Sequence, residues 1–194
     1  MINDPADPDV LRATESWLER AVIGLNLCPF AKAVHVKRQV RYAVSDARTA
    51  DDLVADLAAE LQLLAAADPA AVETTLLIHP HALTDFLDYN DFLDIADATL
   101  EALDLTGILQ VASFHPRYRF AGTMPDAVEN CTNRSPYPTL HLLREDSIER
   151  AVAAYPDAAS IIDRNLATLE RLGADGWARL MAADDTPPPP PHEV

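Results

Sequence analysis

Apolar residues recur at helical spacing near the start of the chain: Val10, Ala13, Trp17, Leu18, Ala21, Val22 and Leu25 fall on one face. Asp7-Pro8 ahead of them reads as a helix start, an N-cap acid followed by proline in the first turn. Gly24 and Asn26 predict fraying at its end. Residues 36–44, VKRQVRYAV, alternate apolar and polar, the pattern of a half-buried strand. Thr49 is placed to cap the next helix, whose Leu53, Leu57, Leu61 and Leu64 share a face, and Pro69 stops it. Residues 72–79, VETTLLIH, are β-branched and apolar nearly throughout and predict a buried central strand. Thr84 caps a third helix running to about Leu103, and residues 107–115, GILQVASFH, predict a third strand.

Periodicity then lapses. Residues 116–138 contain Gly122, Pro125, Pro136 and Pro138, and a loop of that length is usually functional or disordered. Two further helices are expected over about 139–155 and 157–172, split at Tyr155-Pro156, with a short helical turn around Trp177. The end, DDTPPPPPHEV, reads as a solvated polyproline tail. DFLD occurs at 85–88 and 91–94, an echo within one helix and not an architectural repeat. Strands joined by helices imply parallel neighbours with right-handed crossovers. The expected fold is therefore α/β: a small, mostly parallel sheet of three or four strands covered by helices, with a long functional loop and C-terminal helices. One domain spans 1–181, followed by a disordered proline-rich tail over 182–194.

Composition narrows the function classes. The chain has 194 residues, with 31 acidic against 15 basic residues and a net charge of −16. That is enough chain to bury a core without staples. Its charge disfavours phosphate backbones and anionic membrane surfaces, so neither nucleic acid nor membrane is an expected partner. Two cysteines, Cys28 and Cys131, are too few for a disulfide framework and fit a reduced compartment. The opening MINDPADPDV has no basic region leading into an apolar run, and apolar stretches fall well short of the roughly 18 residues of a span. A cytoplasmic location is expected. The five glycines form no phosphate loop or nucleotide fingerprint, and there is no Gly-x-Ser-x-Gly elbow.

Two of the expected strands end in His-Pro, LLIHPH at 76–81 and ASFHP at 112–116. Ligands of open parallel sheets bind outside the carboxyl ends of strands. Adjacent strands would set His79 and His115 side by side there; equally, each could be a strand-end histidine bonded to backbone. The following loop supplies Arg117, Arg119, Asn130, Asn133 and Arg134 as substrate-orienting groups. His141 and Glu145 are four apart and would share a helix face. His79, His115 and His141 could then bind a divalent transition metal with Glu145 assisting, or shuttle protons. The helix-face pair could equally be structural. In NLCPFA, Cys28 would sit at the N-cap of a turn starting at Pro29, where the helix dipole favours thiolate, with Cys131 as a resolving partner. A buried structural cysteine is the alternative. Asp85, Asp88, Asp91, Asp94 and Asp97 read as a solvated face and not a calcium loop.

Charge is uneven along the chain. Residues 28–48 carry +4 and residues 112–145 carry +1, which leaves −21 for the remainder. Both stretches hold candidate chemistry. A locally anion-friendly cleft in an acidic body follows, unless the basic residues of the first strand simply pair with helix acids.

The strings WLERAVIGLNLCPFAKAV, ETTLLIHPHALTDFLDYNDFLD, LQVASFHPRYRFAG and NCTNRSPYPTLHLLREDSIERAV resemble the bacterial family called domain of unknown function 1415, over about residues 9–177. The resemblance implies a bacterial single-domain protein and transfers no catalytic roles. Three functions stay open. The first is a small-molecule enzyme on an anionic metabolite with a His/Arg/Asn-lined, possible metal-assisted cleft. The others are a Cys28 thiol enzyme and a non-enzymatic ligand- or protein-binding module.

Overall fold

The computed structural model describes residues 7–154 and 160–182. Asp7 caps α1 (Pro8–Trp17), its carboxylate accepting the Asp9 N–H at 3.0 Å. The regular helix ends at Trp17. It widens into a π-helical turn over Leu18–Ile23, and the Gly24 N–H reaches back five residues to the Glu19 carbonyl at 2.9 Å. The chain then leaves through Asn26 at φ 55°, with Leu27 N–H donating to the Val22 carbonyl at 2.9 Å. This is a Schellman stop built on asparagine. α2 (Ala31–Val36) takes residue 36 from the expected strand, and Arg38 at φ 58° ends it, with Gln39 N–H bonded to the Val34 carbonyl. β1 is accordingly confined to Val40–Val44.

α3 (Ala50–Ala66) starts at Thr49, whose hydroxyl accepts the Asp52 N–H, and it buries Leu53, Leu57, Leu61 and Leu64. β2 (Thr74–Ile78) is buried throughout. Asp85, one residue beyond the expected cap, starts α4 (Phe86–Ala102), which leads to β3 (Leu109–Phe114). A 3-10 turn, Val128–Asn133, lies within the long loop.

The largest departure follows. Residues 139–144 form β4 (Thr139–Arg144), and only from Glu145 does the chain turn helical, as α5 (Glu145–Ala154). The string TLHLLR contains strong helix formers, but its leading Thr-Leu-His-Leu alternates, and Leu140 and Leu142 are both 0% exposed. Burial in the sheet overrides local propensity here. α6 (Ile161–Ala182) kinks at Gly173, φ 67°, and carries Trp177 beyond the kink. The Tyr155-Pro156 split and the proline tail lie outside the described residues.

The sheet order is β1-β2-β4-β3. β1 and β2 are parallel, whereas β4 runs antiparallel to both β2 and β3. The α/β class holds, but the sheet is not mostly parallel: two of its three pairings are antiparallel. Leu77, Leu109, Leu140 and Leu142 pack under α3 and α4. Leu76, Ile78 and Phe114 face the other way, against Trp17, Leu169 and Trp177. Arg144 joins the layers at one end, its Nη2 donating to the Leu64 and Ala67 carbonyls at 2.6 and 2.8 Å. No helix among the described residues is long and apolar enough to cross a membrane.

A Cβ on Gly24 would overlap the Arg20 carbonyl oxygen, so the wide turn closes only around glycine. In an ordinary helix interior, Gly to Ala gains up to about 1 kcal/mol. Here Gly24→Ala is expected to lose about 1–3 kcal/mol to overpacking. Urea denaturation of the variant measures the sign, and a gain in stability would show that the turn relaxes freely.

Candidate functional site

β2 and β3 end beside the start of β4, since Ile78 and Phe114 are both register partners of Thr139. β4 therefore separates His79 from His115, and the expected side-by-side pair is not formed. The His79 N–H donates to the Pro138 carbonyl at 3.0 Å, and the His115 N–H to the Asn133 carbonyl at 3.1 Å. Tyr89, on α4, brings the two imidazoles together. Its ring stacks on His79 with centroids 5.8 Å apart and meets His115 at 5.1 Å. Its hydroxyl donates to the Thr139 carbonyl at 2.8 Å and accepts the Phe114 N–H at 3.0 Å.

Both histidines are 0% exposed. Carbonyl partners fix their tautomers. Nδ1–H of His79 donates to the Ala82 carbonyl at 3.0 Å, which leaves Nε2 as a bare lone pair, buried and without a partner. His115 accepts the Arg117 N–H on Nδ1 at 3.0 Å and donates Nε2–H to the Leu83 carbonyl at 3.3 Å. Arg117 Nη2 donates to the Thr84 carbonyl at 2.8 Å and contacts the Asp85 carboxylate at 3.2 Å. Three successive carbonyls, 82 to 84, are thus each held by a different side chain. The clamped loop contains Leu83 at φ 52°. A left-handed conformation in a bulky residue costs about 1–2 kcal/mol and marks stored strain.

Burial lowers the pKa of His79 to about 4, and also lowers that of His115, because desolvation disfavours imidazolium. Both are neutral near pH 7. His141 falls to about 4 for the same reason, but it belongs elsewhere. It is the register partner of Leu76, on the opposite face of the sheet, and its ring meets Phe114 at 6.0 Å. The Thr74 hydroxyl donates to the Leu142 carbonyl and so accepts from His141 Nε2–H at 2.8 Å. Glu145 follows Arg144, the partner of Leu109, at the far end of the sheet from His79 and His115. His141 and Glu145 share no helix face, because His141 lies in β4. The expected three-histidine metal set does not assemble, and no group of three or more His, Cys, Asp or Glu among the described residues is arranged to hold a metal ion. Of the two buried imidazoles, His79 keeps a free ring nitrogen, whereas both nitrogens of His115 are engaged.

The polar loop side chains are turned inward. Asn130, 0% exposed, accepts the Phe120 N–H and the Thr123 hydroxyl and donates to the Met124 carbonyl. Asn133 donates to the Ser113 carbonyl and Arg134 to the Pro125 carbonyl. These three tie the loop to itself and to β3. Arg117 and Arg119 are the exposed arginines of the segment. Cys28 is not an N-cap: α2 begins at Ala31 after Phe30, and Cys28 offers that turn only its carbonyl. Both cysteines are free thiols; burial pushes the Cys131 thiol up.

Arg41, from the basic first strand, is spent on Glu60 of α3 in a two-point ion pair at 2.7 and 2.9 Å. At the opposite end of the sheet from the histidines, α4 and β3 line a cavity of about 870 Å³ with Asp94, Asp97, Glu101, Asp104 and Glu145. No basic residue lines it, so this cavity disfavours anions. The expected solvated stripe on α4 thus contributes Asp94 and Asp97 to this cavity. Nothing in the sequence singles out Tyr89 or Leu83: Tyr89 has the pattern of one more core position of an amphipathic helix, and positive φ at leucine has no sequence signal.

The fold and site define an open-sheet α/β protein with a clamped, buried-histidine loop at one sheet edge. The chain belongs to the family described as Protein of unknown function (DUF1415), whose model matches residues 9–179. No curated protein and no solved structure matches it.

Buried neutral histidines make the fold acid-sensitive. Their native pKa lies below the unfolded value of about 6.5, so the unfolded chain binds more protons as pH falls. Stability is expected to be full above about pH 6.5 and to decline toward pH 4. His141→Gln keeps the Nε2-like donor to Thr74 and should flatten part of that slope. Urea midpoints between pH 4 and 7.5 test this; an unchanged slope in the variant would contradict it.

Proposed function

We propose that the protein is an enzyme acting on a small anionic metabolite at the carboxyl edge of β2, with neutral His79 as proton acceptor. What carries the reading is the Nε2 of His79, a fully buried imidazole nitrogen with no hydrogen-bond partner. Buried polar atoms are nearly always satisfied, and exceptions concentrate at catalytic or strained positions. An imidazole held neutral by burial, in a single tautomer fixed by Ala82, carries its lone pair at pH 7, and a bound anion beside it would raise its basicity toward the working pH. Strained Leu83 beside it and two exposed arginines, Arg117 and Arg119, support a charged substrate. Metal assistance through His79, His115 and His141 is not part of this reading.

A second reading, a non-enzymatic binding module, is favoured by one observation. Asn130, Asn133 and Arg134, the expected orienting groups, all bond the protein's own backbone.

The two separate by experiment. Isotope-labelled protein is titrated with a panel of small carboxylates and phosphate monoesters. Shifts at His79, Leu83 and Arg117 are expected, with affinities of about 1 μM to 1 mM. Slow conversion of the bound compound, lost in His79→Asn, establishes the enzyme. Binding without conversion leaves the module, and shifts confined to other surfaces overturn both.

A further inference from the structure

We propose that the outer edge of β3 docks a short extended peptide with Lys or Arg at alternate positions, added to the sheet as a fifth strand. β3 ends the sheet, with β4 as its one hydrogen-bonded neighbour among the described residues. The Glu145 N–H donates to the Ile108 carbonyl at 3.0 Å, so the even-numbered residues from 108 to 114 turn their main-chain groups toward β4. Residues 109, 111 and 113 therefore turn theirs outward. At one end of this row the Leu109 N–H donates to the Leu105 carbonyl at 3.0 Å, and Thr106 bridges Leu109. At the other end the Ser113 carbonyl accepts from Asn133 Nδ2 at 3.0 Å. Between them the Val111 N–H, the Val111 carbonyl and the Ser113 N–H have no partner among the described residues. Such a row is a template for a further strand. β3 carries none of the usual guards, since LQVASF holds no charge and no proline.

The surroundings of this edge select the occupant. Leu109 and Val111 pack on the α4 side of the sheet, so an added strand turns every second side chain toward the cavity of about 870 Å³ between α4 and β3. Asp94, Asp97 and Glu101 line it from α4, and Asp104 and Glu145 line it where β3 begins. None of the five makes an ion pair among the described residues. Carboxylates gathered this way repel one another, and cations on an incoming strand relieve that repulsion. Main-chain bonds at Val111 and Ser113 then supply affinity, and the carboxylates choose the sequence. A second copy of the chain fits less well. It carries a net charge of −16 and brings the same carboxylates to the same place. The opening is also short, closed by the turn at Leu105 and Thr106 and by Asn133, whose carbonyl also accepts the His115 N–H. A bonded stretch of about four residues spans it.

The test reads the edge amides directly. The full chain, isotope-labelled, is titrated with the blocked peptide Thr-Lys-Val-Lys-Val-Thr, and amide hydrogen exchange is followed by NMR. Two control peptides accompany it: one with glutamate in place of lysine, and one N-methylated at every residue, which keeps the charge and loses its donors. In the free protein the Val111 and Ser113 amides should exchange faster than those of Gln110 and Ala112, which face β4. The lysine peptide at ten times its Kd should slow Val111 and Ser113 about tenfold, by mass action. Added salt should weaken binding. Asp97→Asn and Glu101→Gln, at exposed positions where folding is not threatened, should each weaken it about twofold to fivefold, the worth of one surface pair. Equal binding of the glutamate peptide, or unchanged binding in both variants, overturns the charge selection and with it the proposal. Protection that survives N-methylation, or a lysine peptide that leaves both amides exchanging freely, overturns the added strand. Protection already present without peptide and rising with protein concentration gives the edge to a second copy, and overturns the proposal too.

Discussion

The hydroxyl of Tyr89 closes the seam between β3 and β4 at its open end. Phe114 N–H and the Thr139 carbonyl both lie at that end, and one oxygen from α4 serves them, accepting from the first and donating to the second. Unpaired, either group would carry the cost of an orphaned buried polar atom, on the order of 1–3 kcal/mol. The bond also fixes where α4 sits over the sheet. From that position the Tyr89 ring meets the imidazoles of His79 and His115, which β4 would otherwise keep apart. The antiparallel strand, the helix above it and the histidine edge are thus one mechanical unit.

Within that unit the imidazoles work first as backbone clamps. Each donates one N–H to a carbonyl of the strained loop, and burial removes their charge. What distinguishes the two is the remaining nitrogen: His115 uses it on the Arg117 amide, while His79 leaves it bare. The charge of the molecule is arranged along the same axis. Carboxylates gather where β3 begins, and Arg117 and Arg119 stand where it ends. A net charge of −16 conceals this polarity, because it sums a carboxylate-lined cavity with an edge that holds neutral imidazoles and exposed arginines.

Element existence was largely legible, and element ends were not. Helices α1, α3 and α4 follow from leucine spacing and from caps at Asp7, Thr49 and, one residue beyond the Thr84 expected, Asp85. The end of α3 ahead of Pro69 was legible, but the stops of α1, α2 and α4 are hidden, because Asn26, Arg38 and Asp104 take the left-handed conformation that is usually read from glycine. With five glycines in the chain, the usual punctuation is missing. Of the candidate site, the two His-Pro strand ends were visible as motifs. The grouping of His79 with His115 through Tyr89, and the exclusion of His141, depend on strand order, which no local pattern records.

The amino-acid sequence by itself determined the α/β class, the amphipathic faces of the main helices, the buried strand Thr74–Ile78 and the two His-Pro strand ends. These are local properties: side-chain period and cap chemistry act within a few residues. Only the tertiary structure decided that residues 139–144 form a strand, that this strand enters between β2 and β3, and which histidines share a face. Those outcomes turn on burial. Leu140 and Leu142 are worth more inside the sheet than a continued helix would give, and once they are placed there the register sends His141 to one face and leaves Glu145 at the far end.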